Sequence, residues 1–217
     1  MKKVVVVGCG GLGREVIEIF KDQNKAKKKW DILGFIDDKI AMHGKYINGF
    51  PVIGGLDWLI ENNSKKIGCV IAIGEPKTKK LIADKLEQKG INFVNAIHPS
   101  VIMSEYVGLG KDVIICAGNI LTVNIKIGNH VILNINTTVG HDTIIEDYCS
   151  VMPTVKINGE NHLQEGVYIG TGATVIHQIS VGRWTTIGAG AVVVNDIPEY
   201  VVAVGLPAKV IKEKIKN

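Results

Sequence analysis

The chain has 217 residues, enough for one large domain or two small ones, and its 46% hydrophobic and 21% charged residues are ordinary for a globular protein. The formal charge of +4 is mild and the lysines form no basic stripe with interleaved aromatic residues, which argues against a nucleic-acid partner. No segment approaches the ~20 apolar residues of a membrane span, and the four cysteines lack the CxxC spacing of a zinc site, so we expect a cytoplasmic protein with no membrane partner and no metal.

The first region alternates strand and helix patterns. Strands are predicted at 3–7, 32–36, 67–73 and 91–94, and helices at 14–23 and 78–88. Strands that alternate with helices are typical of a parallel sheet with right-handed crossovers. We therefore expect residues 1–97 to form a small α/β domain, a half-Rossmann parallel sheet that binds a nucleotide.

A glycine-rich turn follows the first predicted strand. Gly8, Gly10 and Gly13 form a GxGxxG pattern, which lets the backbone approach a phosphate at a helix N-terminus. Asp37 lies 24 residues after Gly13, close to the spacing of the ribose-binding acid in NAD sites. However, the region is long enough for only one of the two halves of a dinucleotide fold, which favours a single nucleotide over NAD. A purely structural role for the same residues stays open on spacing alone.

From residue 101 the chain repeats every six residues. Sixteen consecutive positions, stepping by six from Met103 to Val193, are Met, Leu, Ile or Val. Neither a helix nor a plain strand repeats at six, whereas a chain that turns a corner every six residues does, and three corners close one coil of eighteen residues. The pattern is typical of a hexapeptide β-helix, which we predict at 98–198, followed by a tail at 199–217. Cys149 falls in an inward column, so we expect its thiol to pack in the core.

One edge of this predicted coil carries two histidines. Positions eighteen apart stack on successive coils, about 4.8 Å apart per layer, so His141, Gly159 and His177 share one column. Asp142 follows His141, and an imidazole beside a carboxylate is the usual general base for removing a proton from an amine or hydroxyl. His130 adjoins an Ile-Gly-Asn corner, where we expect it to be solvated.

The repeats resemble those of the left-handed β-helix acyltransferases. Nearly the whole chain resembles the branch in which a nucleotide-binding α/β domain precedes the β-helix, a branch that includes bacterial N-acetyltransferases of nucleotide-linked amino sugars and sialic acid O-acetyltransferases. The motifs that carry the resemblance are GCGGLGREV at 8–16, GFIDDK at 34–39, AIG at 72–74, HPS at 98–100, GHD at 140–142 and GLPAK at 205–209. The left-handed coil is an implication of this resemblance.

The resemblance implies a homotrimer in glycan biosynthesis, with acetyl-CoA as co-substrate and a nucleotide sugar as substrate. In the family the N-terminal domain holds the nucleotide, which implies substrate-binding roles for Gly10, Gly11, Asp37, Asp38, Lys39 and Gly74. It also implies that His141 is the base, that Asp142 orients it, and that the Gly159 N–H stabilises the oxyanion. The implied coenzyme-binding residues are Ser150, Gly159, His177, Gly188, Ala189 and Lys209, where Ser150 stands at the position of a second histidine found in some relatives.

The function expected from this is acetyl-CoA-dependent N-acetylation of a UDP-, dTDP- or GDP-linked 4-amino-dideoxyhexose by direct transfer. O-acetylation of a sialic acid or related sugar is an alternative, because nothing in the sequence separates an amine from a hydroxyl acceptor. A non-enzymatic nucleotide-binding scaffold is a further alternative.

Overall fold

The computed structural model describes residues 1–62 and 66–216, so Asn217, the last residue of the predicted tail, lies outside the described residues. The N-terminal domain has strands β1 (Lys2–Val7), β2 (Trp30–Ile36), β3 (Tyr46–Ile47), β4 (Phe50–Gly54), β5 (Gly68–Ile71) and β6 (Asn92–Phe93). Its helices are α1 (Gly11–Ala26), α2 (Leu56–Glu61) and α3 (Pro76–Glu87), and a 3-10 turn spans Ile40–Met42. The sheet order is β3-β4-β2-β1-β5-β6, with every pairing parallel except β3–β4.

The central strand β1 is buried on both faces. Val4 and Val6 pack in a cluster with α1, while Val5 and Val7 pack in a second cluster with α2 and α3. A strand covered on both faces is uniformly apolar rather than alternating, which explains the run of four valines. The predicted parallel α/β domain is confirmed. The β3–β4 hairpin and α2 are additions that the sequence pattern did not predict.

The second region is a three-sided coil of short parallel strands. Sheet 1 contains β7 (Ala96–Ile97), β10 (Ile114–Ile115), β13 (Ile132–Leu133), β16 (Ser150–Val151), β19 (Tyr168–Ile169), β22 (Thr186–Ile187), β24 (Val201–Val204) and β25 (Lys209–Glu213). Sheet 2 contains β8 (Ile102–Met103), β11 (Ile120–Leu121), β14 (Thr138–Val139), β17 (Lys156–Ile157), β20 (Thr174–Val175) and β23 (Val192–Val193). Sheet 3 contains β9 (Gly108–Leu109), β12 (Lys126–Ile127), β15 (Ile144–Ile145), β18 (His162–Leu163) and β21 (Ser180–Val181).

The period of six accounts for this coil. Ladder partners lie eighteen residues apart, as in Leu133 with Val151. Fourteen of the sixteen aliphatic positions are buried; Met103 and Leu109, in the first coil, are partly exposed. From Asp112 to Gly190 every sixth residue has positive φ, one at each corner, a conformation that Gly, Asn and Asp tolerate best. The predicted left-handed parallel β-helix is thereby confirmed as the fold of this region.

The two regions share a core. Ile114 and Ile132, on the outer face of sheet 1, join the cluster that contains β1 and α1 residues. The coil starts at β7, and the last two strands extend sheet 1 beyond residue 198, with β24 parallel to β22 and β25 antiparallel to β24. The predicted boundaries at 97/98 and 198/199 stay predictions. In residues 1–62 and 66–216 no helix is both long and apolar enough to cross a membrane.

We name the corners by the sheets that they join. Edge 1–2 follows each sheet 1 strand, edge 2–3 follows each sheet 2 strand, and edge 3–1 follows each sheet 3 strand. These edges position the candidate functional side chains.

Candidate active site

His141 and Asp142 form a hydrogen-bonded pair on edge 2–3. His141 Nδ1 lies 2.8 Å from Asp142 Oδ2, and the two side chains are 55% and 52% exposed. Asn124, one coil earlier, donates to Asp142 Oδ1 at 3.2 Å. The hydrogen bonds from His141 and Asn124 hold the pKa of Asp142 below its usual value. The carboxylate is therefore ionised at neutral pH and accepts a hydrogen bond from Nδ1–H, so the lone pair of the neutral imidazole lies on Nε2.

Gly159 lies directly beneath the His141 ring. A β-carbon on Gly159 would fall 2.6 Å from His141 Nε2 and 2.7 Å from Cε1. The Gly159 N–H donates to no acceptor among residues 1–62 and 66–216. An exposed imidazole thus lies against a buried backbone amide that has no acceptor among the described residues, an arrangement that can remove a proton and, where a ligand reaches the amide, stabilise an oxyanion.

Two further histidines lie near this edge without joining the pair. His177 is exposed, two coils beyond His141 in the same column, as the spacing predicted. His162, on sheet 3, pairs instead with Glu146, its Nε2 lying 2.6 Å from Oε1. The second pair has similar chemistry, but His162 lies in β18 of sheet 3 and Glu146 on edge 3–1.

Ser150 lies apart from the other predicted coenzyme residues. It is completely buried in sheet 1 between Ile132 and Tyr168, and its hydroxyl has no hydrogen-bond partner among the described residues. Edge 2–3 lies on the far side of the coil from sheet 1. In this chain Ser150 therefore does not stand beside His141, and we leave it out of the site.

Gly188 and Ala189 lie on edge 1–2, and Lys209 begins β25 of sheet 1 near this edge. A β-carbon on Gly188 would meet Val204 Cγ1 at 2.6 Å, and Val204 pairs with Lys209 in the β24–β25 ladder. Ala189 and Lys209 are both exposed. The group borders a surface of small side chains, yet in a single chain it occupies a different edge from His141.

The glycine-rich turn lies open above the N-terminus of α1. Gly10 and Gly11 are exposed, and a β-carbon on Gly10 would meet nothing within 4 Å. No side chain caps α1, so its first N–H groups face this space. A β-carbon on Gly74, after β5, would likewise meet nothing within 4 Å. Open backbone donors at a helix N-terminus suit an anionic ligand.

Asp37 ties this turn to the end of β2. Its Oδ2 accepts hydrogen bonds from Cys9 N at 3.1 Å and Cys9 Sγ at 3.0 Å, and its Oδ1 accepts from Lys39 N at 3.0 Å. Burial tends to raise the pKa of Asp37, but the hydrogen bonds from Cys9 and Lys39 outweigh it and lower the pKa. Burial and the Asp37 carboxylate raise the pKa of Cys9 to about 11. Asp37 therefore shapes the turn, whatever it contacts in a ligand.

Asp38 is also engaged within the domain. Its Oδ1 accepts a hydrogen bond of 2.7 Å from Leu56 N, at the start of α2. One carboxylate oxygen of this exposed side chain is therefore occupied in organising the helix. Lys39 is exposed beside it.

The prediction that His130 is solvated is wrong. His130 is completely buried on edge 3–1, with Nδ1 2.8 Å from Asp112 Oδ2 and Nε2 2.9 Å from Glu87 Oε1. The reason is that α3 of the N-terminal domain covers this corner, which the repeat pattern alone does not show. The same cluster includes Lys79, likewise completely buried, and the sequence carried no signal for it.

Cys149 packs inside the coil, as its column in the repeat predicted. Its side chain is completely buried, and burial raises the pKa of its thiol well above the ordinary value. Such a thiol is a packing residue rather than a nucleophile. Within the described ranges, no group of three or more His, Cys, Asp or Glu side chains is arranged to hold a metal ion.

Comparison with known proteins agrees with this geometry. The family described as PglD N-terminal domain matches residues 3–86. A GDP-perosamine N-acetyltransferase from Escherichia coli O157:H7 is 33% identical over 186 residues, which covers 85% of this chain and 82% of that protein.

Solved structures show the same architecture over nearly the full length. A histidine-to-asparagine mutant of perosamine N-acetyltransferase from Caulobacter crescentus, in complex with CoA and GDP-perosamine, has a TM-score of 0.90, 30% identity and 98% coverage of both chains. The acetyltransferase domain of PglB from Neisseria gonorrhoeae FA1090, in complex with acetyl coenzyme A, has a TM-score of 0.88 at 28% identity, covering 97% of this chain and 99% of that one.

Proposed function

The chain belongs to the hexapeptide-repeat N-acetyltransferases of nucleotide-linked amino sugars, and we propose on that basis that it acetylates the amine of a nucleotide-linked 4-amino-dideoxyhexose. The donor is acetyl-CoA, and transfer is direct. The observation that carries the proposal is the exposed His141 imidazole, hydrogen-bonded to Asp142 and resting on the backbone of Gly159.

His141 is the proposed general base. As the amine nitrogen attacks the thioester carbonyl carbon, His141 Nε2 accepts the proton that the nitrogen loses. Asp142, already hydrogen-bonded to Nδ1, stabilises the imidazolium that forms. When the C–S bond breaks, the imidazolium returns the proton to the sulfur of CoA, so the base is regenerated. A positioned base of this kind contributes typically 100- to 10,000-fold to a rate.

The Gly159 amide is the proposed oxyanion donor. Its N–H has no acceptor among the described residues, and because Gly159 lacks a β-carbon the His141 ring lies directly against its buried backbone. A donor at this point would stabilise the negative charge that the carbonyl oxygen develops, an effect worth about 3 kcal/mol. The thiol of Cys149 is enclosed in the coil and out of reach of a thioester, which supports transfer without an acyl-enzyme.

The N-terminal domain is the proposed nucleotide site. Gly10 and Gly11 present open backbone at the start of α1 to the phosphates, and Asp37, Asp38, Lys39 and Gly74 border the nucleoside. The free N–H groups of α1 and the space above Gly10 support this assignment.

The coenzyme site is proposed to lie between subunits of a homotrimer. His141 and His177 lie on edge 2–3, whereas Gly188 and Ala189 lie on edge 1–2 and Lys209 lies at the start of β25, so one site needs both edges from different copies. Gly172 and Gly190 are exposed, and β-carbons there would meet nothing nearer than 3.8 Å, so they leave edge 1–2 bare enough for an extended pantetheine arm. Exposed apolar side chains on and beside sheet 2 favour association, namely Ile102, Ile120, Val123 and Ile144. We propose that the enzyme acts in glycan biosynthesis in the cytoplasm, where both acetyl-CoA and nucleotide sugars are present.

Turnover assays test the proposal. CoA release from acetyl-CoA is measured with GDP-, UDP- and dTDP-linked 4-amino-4,6-dideoxyhexoses and with a free sialic acid. We expect release with at least one nucleotide-linked amino sugar and none with the sialic acid. Release with the sialic acid alone would indicate O-acetylation, and no release with any acceptor would indicate a binding scaffold.

A further inference from the structure

One carboxylate of the β-helix holds both sides of a loop in the N-terminal domain. Asp112 Oδ1, on edge 3–1, accepts a hydrogen bond of 2.8 Å from Ile71 N, which ends β5. Asp112 Oδ2 lies 3.7 Å from Lys79 Nζ, in the first turn of α3. Residues 72–75 connect β5 to α3, so Asp112 links the coil to the elements on both sides of this loop.

The anchor is enclosed and closely packed. The side chains of Asp112, Lys79 and His130 are all completely buried. His130 Nδ1 lies 2.8 Å from Asp112 Oδ2, and the His130 ring stacks on Tyr148 with a centroid separation of 5.0 Å. Burial lowers the pKa of Lys79, and the Asp112 carboxylate opposes that effect. Lys79 Nζ makes no hydrogen bond among the described residues, so its buried charge depends on the ion pair with Asp112. The hydrogen bonds with Ile71 and His130 leave Asp112 little freedom to move.

The anchored loop packs against the glycine-rich turn. Ala72 N donates to Val7 O at 2.8 Å, immediately before Gly8. A β-carbon on Gly8 would fall 2.8 Å from Ile73 Cδ1 and 3.1 Å from Ala72 O. The distance between the loop, which carries Gly74, and the turn therefore depends on where Asp112 holds Ile71 and Lys79.

We propose that Asp112 is a positioning residue for the nucleotide part of the substrate, acting through the loop at 72–75. The inference rests on the proposed function, because it takes this loop as one wall of the nucleotide site. Asp112 lies on edge 3–1, away from the His141 edge, so it sets how well the nucleotide sugar binds and leaves the acetyl-transfer step unchanged.

Steady-state kinetics of Asp112→Asn test the proposal. The substitution keeps an oxygen acceptor for Ile71 N but removes the charge that faces Lys79. We expect KM for the nucleotide sugar to rise at least ~10-fold, with kcat and KM for acetyl-CoA within about 2-fold of the wild type. A loss of kcat at unchanged KM would overturn the proposal.

Asp147→Asn is the matched control. Asp147 lies on the same edge and also accepts a backbone hydrogen bond, from Asn129 N at 2.6 Å, but both of its hydrogen bonds come from Asn129, which belongs to the coil. We expect its kinetic constants to stay within about 2-fold of the wild type. An equal rise of KM in Asp147→Asn would show that any weakened coil has this effect, which would contradict a positioning role for Asp112.

Calorimetric titration with GDP, UDP and dTDP separates this inference from the reaction itself. If the wild type binds a nucleotide but transfers no acetyl group, the proposed reaction is wrong. A higher Kd for that nucleotide in Asp112→Asn would still support the positioning role. If the wild type binds none of the three, the loop is no nucleotide site and the positioning role is overturned. Should Asp112→Asn not fold, Lys79→Met, which keeps the bonds of Asp112 to Ile71 and His130, is expected to raise Kd at least ~3-fold, and an unchanged Kd would refute the proposal.

Discussion

The imidazole of His141 rests on the bare backbone of Gly159, since a β-carbon there would lie 2.6 Å from Nε2. Gly159 is not among the residues with positive φ, so its backbone conformation does not itself demand glycine. The glycine is therefore required by the neighbouring ring rather than by its own conformation. The proposed base and the proposed oxyanion donor are in this way placed by the same contact.

Gly159→Ala should inactivate the enzyme without unfolding it. The added methyl group forces the His141 ring away from its position, and we expect kcat to fall ~10- to 1,000-fold because a misplaced base transfers protons poorly. Gly108→Ala is the matched control, because a β-carbon on Gly108 meets nothing nearer than 4.0 Å. Steady-state kinetics together with thermal unfolding check both variants. Equal kcat values for Gly159→Ala and Gly108→Ala would contradict a catalytic role for the contact between His141 and Gly159.

Asp142→Asn should slow the chemical step by ~3- to 30-fold with little change in KM. Asparagine keeps an oxygen acceptor for His141 Nδ1, but the negative charge that stabilises the imidazolium is lost. The effect is smaller than in an enclosed triad because Asp142 is 52% exposed and water screens its charge. Asn124→Gly removes the neutral hydrogen bond to Asp142, keeps a residue that tolerates the positive φ of this corner, and serves as the control. A fully active Asp142→Asn would remove the carboxylate from the mechanism.

Cys9 should react slowly with iodoacetamide at pH 8. Its pKa of about 11, raised by burial and by the Asp37 carboxylate, keeps the sulfur protonated and weakly nucleophilic at this pH. Reaction should accelerate as the pH rises toward 11, and Asp37→Asn should speed it at pH 8 by removing the charge that opposes the thiolate. Mass spectrometry of the Cys9 peptide measures the rate. The idea fails if wild-type Cys9 reacts as fast as a free thiol.

His130→Ala should lower the free energy of unfolding by about 2–4 kcal/mol. The substitution leaves a cavity beside Tyr148 and deprives the buried Asp112 carboxylate of its closest side-chain partner. His177→Ala, at an exposed corner, should change it by no more than about 0.5 kcal/mol. Urea denaturation followed by circular dichroism gives both values. Similar stabilities for the two variants would argue against the buried cluster.

The β-helix could be predicted from the sequence because every corner of the coil requires the same types of residue. An inward aliphatic side chain and a residue with positive φ recur at every sixth position. The coil, and the stacking of His141 on Gly159 eighteen residues later, therefore follow from the period of the repeat. Likewise the four valines of β1 indicate a strand covered on both faces. These features depend on residues close in sequence or related by a fixed period.

Contacts between the N-terminal domain and the β-helix could not be predicted in this way. His130 and Asp112 occupy ordinary corner positions of the repeat, and only the docking of α3 turns that corner into a buried cluster. Ser150 occupies a sequence position expected for coenzyme contact, but in β16 of sheet 1 its side chain is completely buried. Such placements depend on how the domain sits on the coil, which neither period nor composition specifies.

The central claim is that the His141 imidazole removes the proton from the attacking amine. It is tested most directly by CoA release from acetyl-CoA and the accepted nucleotide-linked amino sugar, compared between the wild type, His141→Ala and His162→Ala. Because His162 also pairs with a carboxylate but lies off the edge, His162→Ala should keep kcat within about 2-fold. His141→Ala should lower kcat at least ~100-fold, and near-normal release by His141→Ala would contradict the account.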